Sequence, residues 1–94
     1  MIIGVLKETK ADEFRVALRP VGAELLSSDG HRVLIEAGAG TKSGSTDEDY
    51  VRAGAEIVAG PDAIFELANL LVKVKEPQPA EIARLEPRHT VQSP

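Results

Sequence analysis

Short apolar runs alternate along this chain with stretches whose apolar residues return every three or four positions. Ile2 to Leu6, with Gly4 inside, is a continuous apolar run, the pattern of a strand buried on both faces. A polar loop, Lys7 to Phe14, follows it. Pro20 suits the first position of a helix that carries Val21, Leu25 and Leu26 and stops at Gly30. Arg32 to Glu36 predicts a second strand through Val33, Leu34 and Ile35, and a Gly/Ser/Thr loop runs from Ala37 to Ser45. Thr46 with Asp49 three residues on is a variant capping box, and Asp47 and Glu48 suit the positive start of a helix that ends at Gly54. Glu56 to Ala59 predicts a third strand. Gly60-Pro61-Asp62 opens a helix through Ile64, Phe65, Leu67 and Ala68, and Leu70 to Val74 predicts a fourth strand. Pro77 and Pro79 break the chain, Ala80 to Leu85 allows a turn or two of helix, and Thr90-Val91 can begin a fifth strand.

Strand–helix alternation of this kind predicts parallel strands joined by right-handed crossovers. The expected fold class is α/β: an open parallel sheet of four to five strands, flavodoxin-like or Rossmann-like in order. At 94 residues the chain fits one domain, 1–94, and no second one. With one Tyr and two Phe, the core should be aliphatic, and stacking of exposed bases is almost unavailable. A net charge of −4 without a basic run argues against nucleic acid and anionic membrane as partners. No cysteine is present, which removes disulfides, thiolate catalysis and cysteine-ligated zinc. The apolar runs fall far short of the ~20 residues of a membrane span. Residues 1–6 lack the pattern of a signal peptide, so a cytoplasmic location is expected.

Few residues invite chemistry. Gly38-Ala39-Gly40 suggests a dinucleotide loop, but no third glycine falls in place, and the loop runs on to Thr46 before a helix begins. A plain turn is the expectation, with no cofactor bound there. His31 reads as an exposed turn residue and His89 as lying at the wrong end of the sheet for catalysis. Two histidines without metal-ligand spacing make no zinc site. Arg15, in the loop after the first strand, and Lys75, just past the fourth, both fall on the side where open α/β sheets place ligands. By themselves they read as a solvated loop arginine and a strand-edge lysine.

The segments Gly4-Val5-Leu6-Lys7-Glu8, Asp12 to Pro20, Gly30-His31, Glu36 to Gly40, Asp47 to Tyr50, Ala53 to Val58 and Leu71-Val72-Lys73-Val74-Lys75-Glu76-Pro77 together carry a specific likeness. The sequence resembles the N-terminal domain of alanine dehydrogenases and of the related proton-translocating transhydrogenases. The Lys-Glu-Pro ending favours the dehydrogenase. The resemblance implies the N-terminal part of a substrate domain that interconverts L-alanine with pyruvate and ammonia. Arg15 and Lys75 would then hold the substrate, and NAD would belong to the full-length family and not to this chain. It gives no catalytic residue to these 94 positions. Lys73 keeps the strand-edge role. Leu6, Asp12 and Arg19 depart from the family pattern, and Arg19 removes a hydroxyl helix cap worth about 1 kcal/mol. The run after Val91 also departs, so the chain is expected to be truncated, without its dinucleotide-binding domain, inactive alone, weak for pyruvate and homo-oligomeric. Two further readings stay open: a piece of a transhydrogenase alpha subunit, and a non-catalytic remnant serving as an interaction module.

Overall fold

Ile3 and Val5 alternate with Gly4, and Val33 and Ile35 flank Leu34, so the two sets face opposite sides of a pleated sheet. The computed structural model describes residues 1–8, 16–74 and 78–92. Its strands are β1 (Ile2–Val5), β2 (Arg32–Glu36), β3 (Glu56–Val58), β4 (Leu70–Val72) and β5 (Thr90–Gln92). All pairs are parallel, in the order β3-β2-β1-β4-β5. β1 is central, with Gly4 in register with Leu34 on one side and Leu71 on the other. Of the two orders left open by the sequence, this is the Rossmann one. In the flavodoxin order β1 and β4 would not be neighbours.

The helices are α1 (Pro20–Ser28), α2 (Asp47–Arg52), α3 (Pro61–Leu67) and α4 (Pro79–Ile82), with one 3-10 turn at Thr41–Ser43. Helices α1 and α2 cover one face, where Val5, Val33 and Ile35 meet Ala23, Tyr50 and Ala53. Helix α3 covers the other, packing Ile64, Phe65 and Ala68 on Leu6, Leu34 and Leu71. Each face thus buries one aromatic ring, against the expectation of an aliphatic core. Tyr50 is fully buried because its hydroxyl donates to the Leu18 carbonyl at 2.6 Å, and burial pushes its phenol pKa up.

The caps follow the sequence. Thr46 and Asp49 exchange side-chain bonds with each other's backbone N–H at 3.1 and 2.9 Å, while Arg19 offers α1 no side-chain bond. Several element bounds differ from the expected ones: β1 stops at Val5 and α2 at Arg52. β3 stops at Val58, and α4 starts at Pro79, which suits a first helical position, and ends at Ile82. β4 stops at Val72, since two residues on the Val74 N–H turns to the Glu8 carboxylate.

Candidate functional site

In an open parallel sheet, ligands bind beyond the C-terminal strand ends, where successive connections change direction and leave a crevice. Here β1 leads outward through β2 to β3, and the chain then crosses back to β4 on the other side of β1. The crevice therefore opens between the ends of β1 and β4. Beyond β1 come Leu6, Lys7 and Glu8, and beyond β4 come Lys73 and Val74.

These residues carry a buried ionic cluster. The Lys73 ammonium lies 3.3 Å from Glu8 Oε1 and 3.0 Å from Glu81 Oε2. The side chains of Lys73, Glu8 and Glu81 are 1%, 5% and 12% exposed. One ammonium against two carboxylates needs further donors, and the backbone supplies them. The Val74 N–H donates to Glu8 Oε2 at 3.2 Å, and the Gln78 N–H donates to Glu81 Oε1 at 2.8 Å. Removing Lys73 would take a shared cation from two buried carboxylates, and breaking a buried pair in this way typically costs about 3–5 kcal/mol. Lys73 is thus no strand-edge lysine. β4 lies inside the sheet, flanked by β1 and β5, and Lys73 closes the floor of the crevice.

Arg15 and Lys75 lie outside the described residues. Their nearest described neighbours are Val16 and Val74, and Val74 is tied directly to Glu8. The sequence reading missed Glu8, Lys73 and Glu81. The available signal was a lysine directly after a strand whose flanks are apolar on both sides, a position where an exposed side chain is hard to accommodate.

The Gly38-Ala39-Gly40 loop does not fit a pyrophosphate. The Gly38 N–H is already taken by Asp47 Oδ1 at 2.9 Å, and a Cβ on Gly40 would lie 2.8 Å from Tyr50 Cε2 and 2.9 Å from the Ser45 carbonyl. Gly40 is a close-packing glycine, and the carboxylates of Asp47 and Glu48 follow where a phosphate would need donors. Both histidines lie at the N-terminal ends of strands, away from the crevice. His89 accepts the Glu86 N–H on Nδ1 at 3.0 Å, so its Nε2–H donates to the Phe65 carbonyl at 2.7 Å, at the end of α3. His31 is half-buried, not exposed, and its Nδ1 is buried without a partner among the described residues. A hollow of about 360 Å³ beside α3 has its cations engaged: Arg84 pairs with Asp62 at 2.8 Å and stacks 4.5 Å from the Phe65 ring, and Arg88 binds the Phe65 carbonyl. Among the described residues no three His, Asp or Glu gather as metal ligands, and no helix is long and apolar enough to cross a membrane.

Residues 4–93 match the family described as "Alanine dehydrogenase/PNT, N-terminal domain". The alanine dehydrogenase of Bacillus subtilis is 56% identical over 81 residues, which is 86% of this chain and 21% of that protein. The NAD(P) transhydrogenase subunit alpha of Cereibacter sphaeroides is 45% identical over 85 residues, 90% of this chain and 16% of that protein. A solved L-alanine dehydrogenase superposes with a TM-score of 0.94 at 42% identity, covering 99% of this chain and 26% of that one. The chain therefore spans about a quarter or less of the proteins it matches.

Proposed function

This chain belongs to the alanine dehydrogenase/PNT N-terminal domain family, and from that premise we propose that it is the substrate-holding part of an alanine dehydrogenase, binding L-alanine and pyruvate. The observation that supports this reading most directly is the adjacency of β1 and β4. The segment with Arg15 leaves β1 through Glu8, the segment with Lys75 leaves β4 through Val74, and those two starting points share a hydrogen bond of 3.2 Å. The reading puts one small anion beyond the neighbouring ends of β1 and β4. Arg15 would grip the substrate carboxylate through the two parallel bonds of a guanidinium. Lys75 would donate to the keto oxygen of pyruvate, drawing electron density from the carbon that exchanges hydride. NAD would supply the hydride chemistry. Its site would then lie outside these 94 residues, a reading supported by the filling of the Gly38-Ala39-Gly40 loop by its own side chains. A cytoplasmic location accords with this reading. The higher identity to the dehydrogenase than to the transhydrogenase alpha subunit, 56% against 45%, favours the first of the two.

Pyruvate titrated into the isotope-labelled chain and followed by amide shifts tests the proposal. Binding in the millimolar range, about 4 kcal/mol, is expected. Arg15→Lys should weaken it nearly as much as Arg15→Ala, because charge without the fork does not suffice. Lys75→Ala should weaken it too, while Arg52→Ala, on the exposed face of α2, should not. An equal loss from Arg52→Ala would mean nonspecific attraction and would remove this reading. The same chain should give no saturable NADH fluorescence change at micromolar concentration and no alanine-dependent NADH formation. Saturable binding would return the cofactor site to this domain.

A further inference from the structure

Glu86, Pro87, Arg88 and His89 form the turn that leads the chain into β5, and Pro87 suits its second position. The His89 N–H closes the turn on the Glu86 carbonyl at 2.9 Å. The His89 ring closes it a second time, since Nδ1 accepts the Glu86 N–H at 3.0 Å. The other ring nitrogen reaches out of the turn to the Phe65 carbonyl at 2.7 Å. Arg88 adds bonds to the Phe65 and Glu66 carbonyls at 2.8 and 2.5 Å. Arginine and histidine together thus satisfy carbonyls that the last turn of α3 leaves open.

A backbone N–H can only donate, and a backbone carbonyl can only accept. The two neighbours therefore demand one form of the ring: neutral, with its proton on Nε2. Protonation acts oppositely on the two bonds. The Nε2–H bond to Phe65 survives and gains from the negative end of α3. The Nδ1 bond does not survive, because one N–H would then face another. We propose that His89 is a pH-sensitive latch, which when neutral holds both the turn and α3, and when charged keeps α3 and releases the Glu86 N–H. Histidine changes charge between about pH 5 and 8, and His89 is only half-buried, so the solvent proton has access to it.

The charges around the ring are largely spent on one another. Asp62 on α3 pairs with Arg84 at 2.8 Å, and Arg84 lies 4.5 Å over the Phe65 ring, whose edge meets the imidazole at 6.0 Å. Within the turn, Glu86 pairs with Arg88 at 3.2 Å. The Glu66 carboxylate on α3 is exposed, and β4 and β5 carry no charged residue. What the latch controls is the entry to β5. There the Thr90 N–H donates to the Asn69 carbonyl at 2.8 Å, and at the far end the Gln92 carbonyl takes the Lys73 N–H at 2.9 Å.

The test is a titration of the whole isotope-labelled chain from about pH 8 to pH 5, read by the His89 ring signals and the Glu86 amide. The amide should shift with the same midpoint as the ring, and its temperature coefficient should pass from that of a bonded amide to that of a free one. His89→Asn places an oxygen as many bonds from the backbone as Nδ1, so the amide should stay bonded throughout. His89→Gln reaches towards α3 and leaves the turn open, so the amide should read as free throughout. Glu86→Gln keeps the backbone N–H without the carboxylate, and the transition should persist. A Glu86 amide that stays bonded while the His89 ring titrates overturns the proposal. So does a midpoint that follows the His31 ring, or a transition that survives His89→Asn or vanishes in Glu86→Gln. Should His89→Asn not fold, the unmodified chain and Glu86→Gln still decide between the ring and the carboxylate.

Discussion

A methyl group at position 4 would lie 2.5 Å from Ile64 Cγ2 and 3.0 Å from the Ala68 Cβ. Gly4 is thus the reason α3 can lie so close to the middle of β1. Gly4→Ala gains a little strand stability by restricting the unfolded chain, but the clash falls on packed side chains of the α3 face and dominates. We expect a net loss of about 1–3 kcal/mol. For a domain of this size each kcal/mol lowers the melting temperature by roughly 4–8 °C. The cost should shrink in an Ile64→Ala background, where the nearest atom is gone. Melting within about one degree of the unmodified chain would show that α3 yields freely. Lys73 illustrates the limit of reading single residues. Lysine is among the residues least often buried, and the apolar run before this one does not reveal its partners, which stand at positions 8 and 81.

At the scale of elements, the outer strand β3 is fastened to β2 by a forked ion pair. Arg32 Nε and Nη2 donate to the two oxygens of Glu56 at 2.6 and 3.0 Å. The hydrogen bond from Arg32 holds the Glu56 carboxyl below its usual range, against a smaller desolvation that raises it. Asp49, which caps α2, is lowered in the same direction, first by the Thr46 backbone N–H and then by Arg52. A carboxyl with a depressed folded pKa adds stability that is present above its unfolded value, about 4, and disappears as pH falls through the folded value. Both groups therefore steepen the acid limb. Melting curves taken from about pH 6 down to pH 3 should fall less steeply for Glu56→Gln than for the unmodified chain. Superimposable pH dependences would show that the pair is too solvated to matter. These elements were legible because their signals are local: Pro20, the Thr46–Asp49 box and the runs of β1 and β2 each announce themselves within a few residues. The ends of β4 and α4 were not, because the Val74 N–H is claimed from Glu8, 66 positions away. The same holds for the site. Arg15 and Lys75 came from a resemblance, while the ionic floor between their segments depends on β1 lying beside β4, and an α/β pattern alone does not fix that order.

For the whole molecule, the question is which surface meets another copy. The sheet has two open edges, but β3 exposes Glu56, and β5 exposes Thr90 and Gln92, polar residues that discourage strand-to-strand pairing. The helical side is different. Val21 and Leu25, four residues apart on α1, are each 66% exposed, and Val51 on the neighbouring α2 is 54% exposed. Two apolar side chains at that spacing form a stripe along one helix face. Apolar surface gathered in this way favours burial against a second copy. A homodimer or larger species is therefore expected, formed through α1 and not through the sheet edges. Light scattering across a concentration series should report a mass above 10.0 kDa for the unmodified chain. Leu25→Glu places a charge in the stripe without touching the buried Ala23 face, so it should shift the population to monomer and leave the melting curve of the dilute chain nearly unchanged. A monomer of 10.0 kDa at millimolar concentration would rule out self-association. A dimer that survives Leu25→Glu would move the contact to the β3 or β5 edge, where a proline at position 57 or 91 would become the next discriminating change.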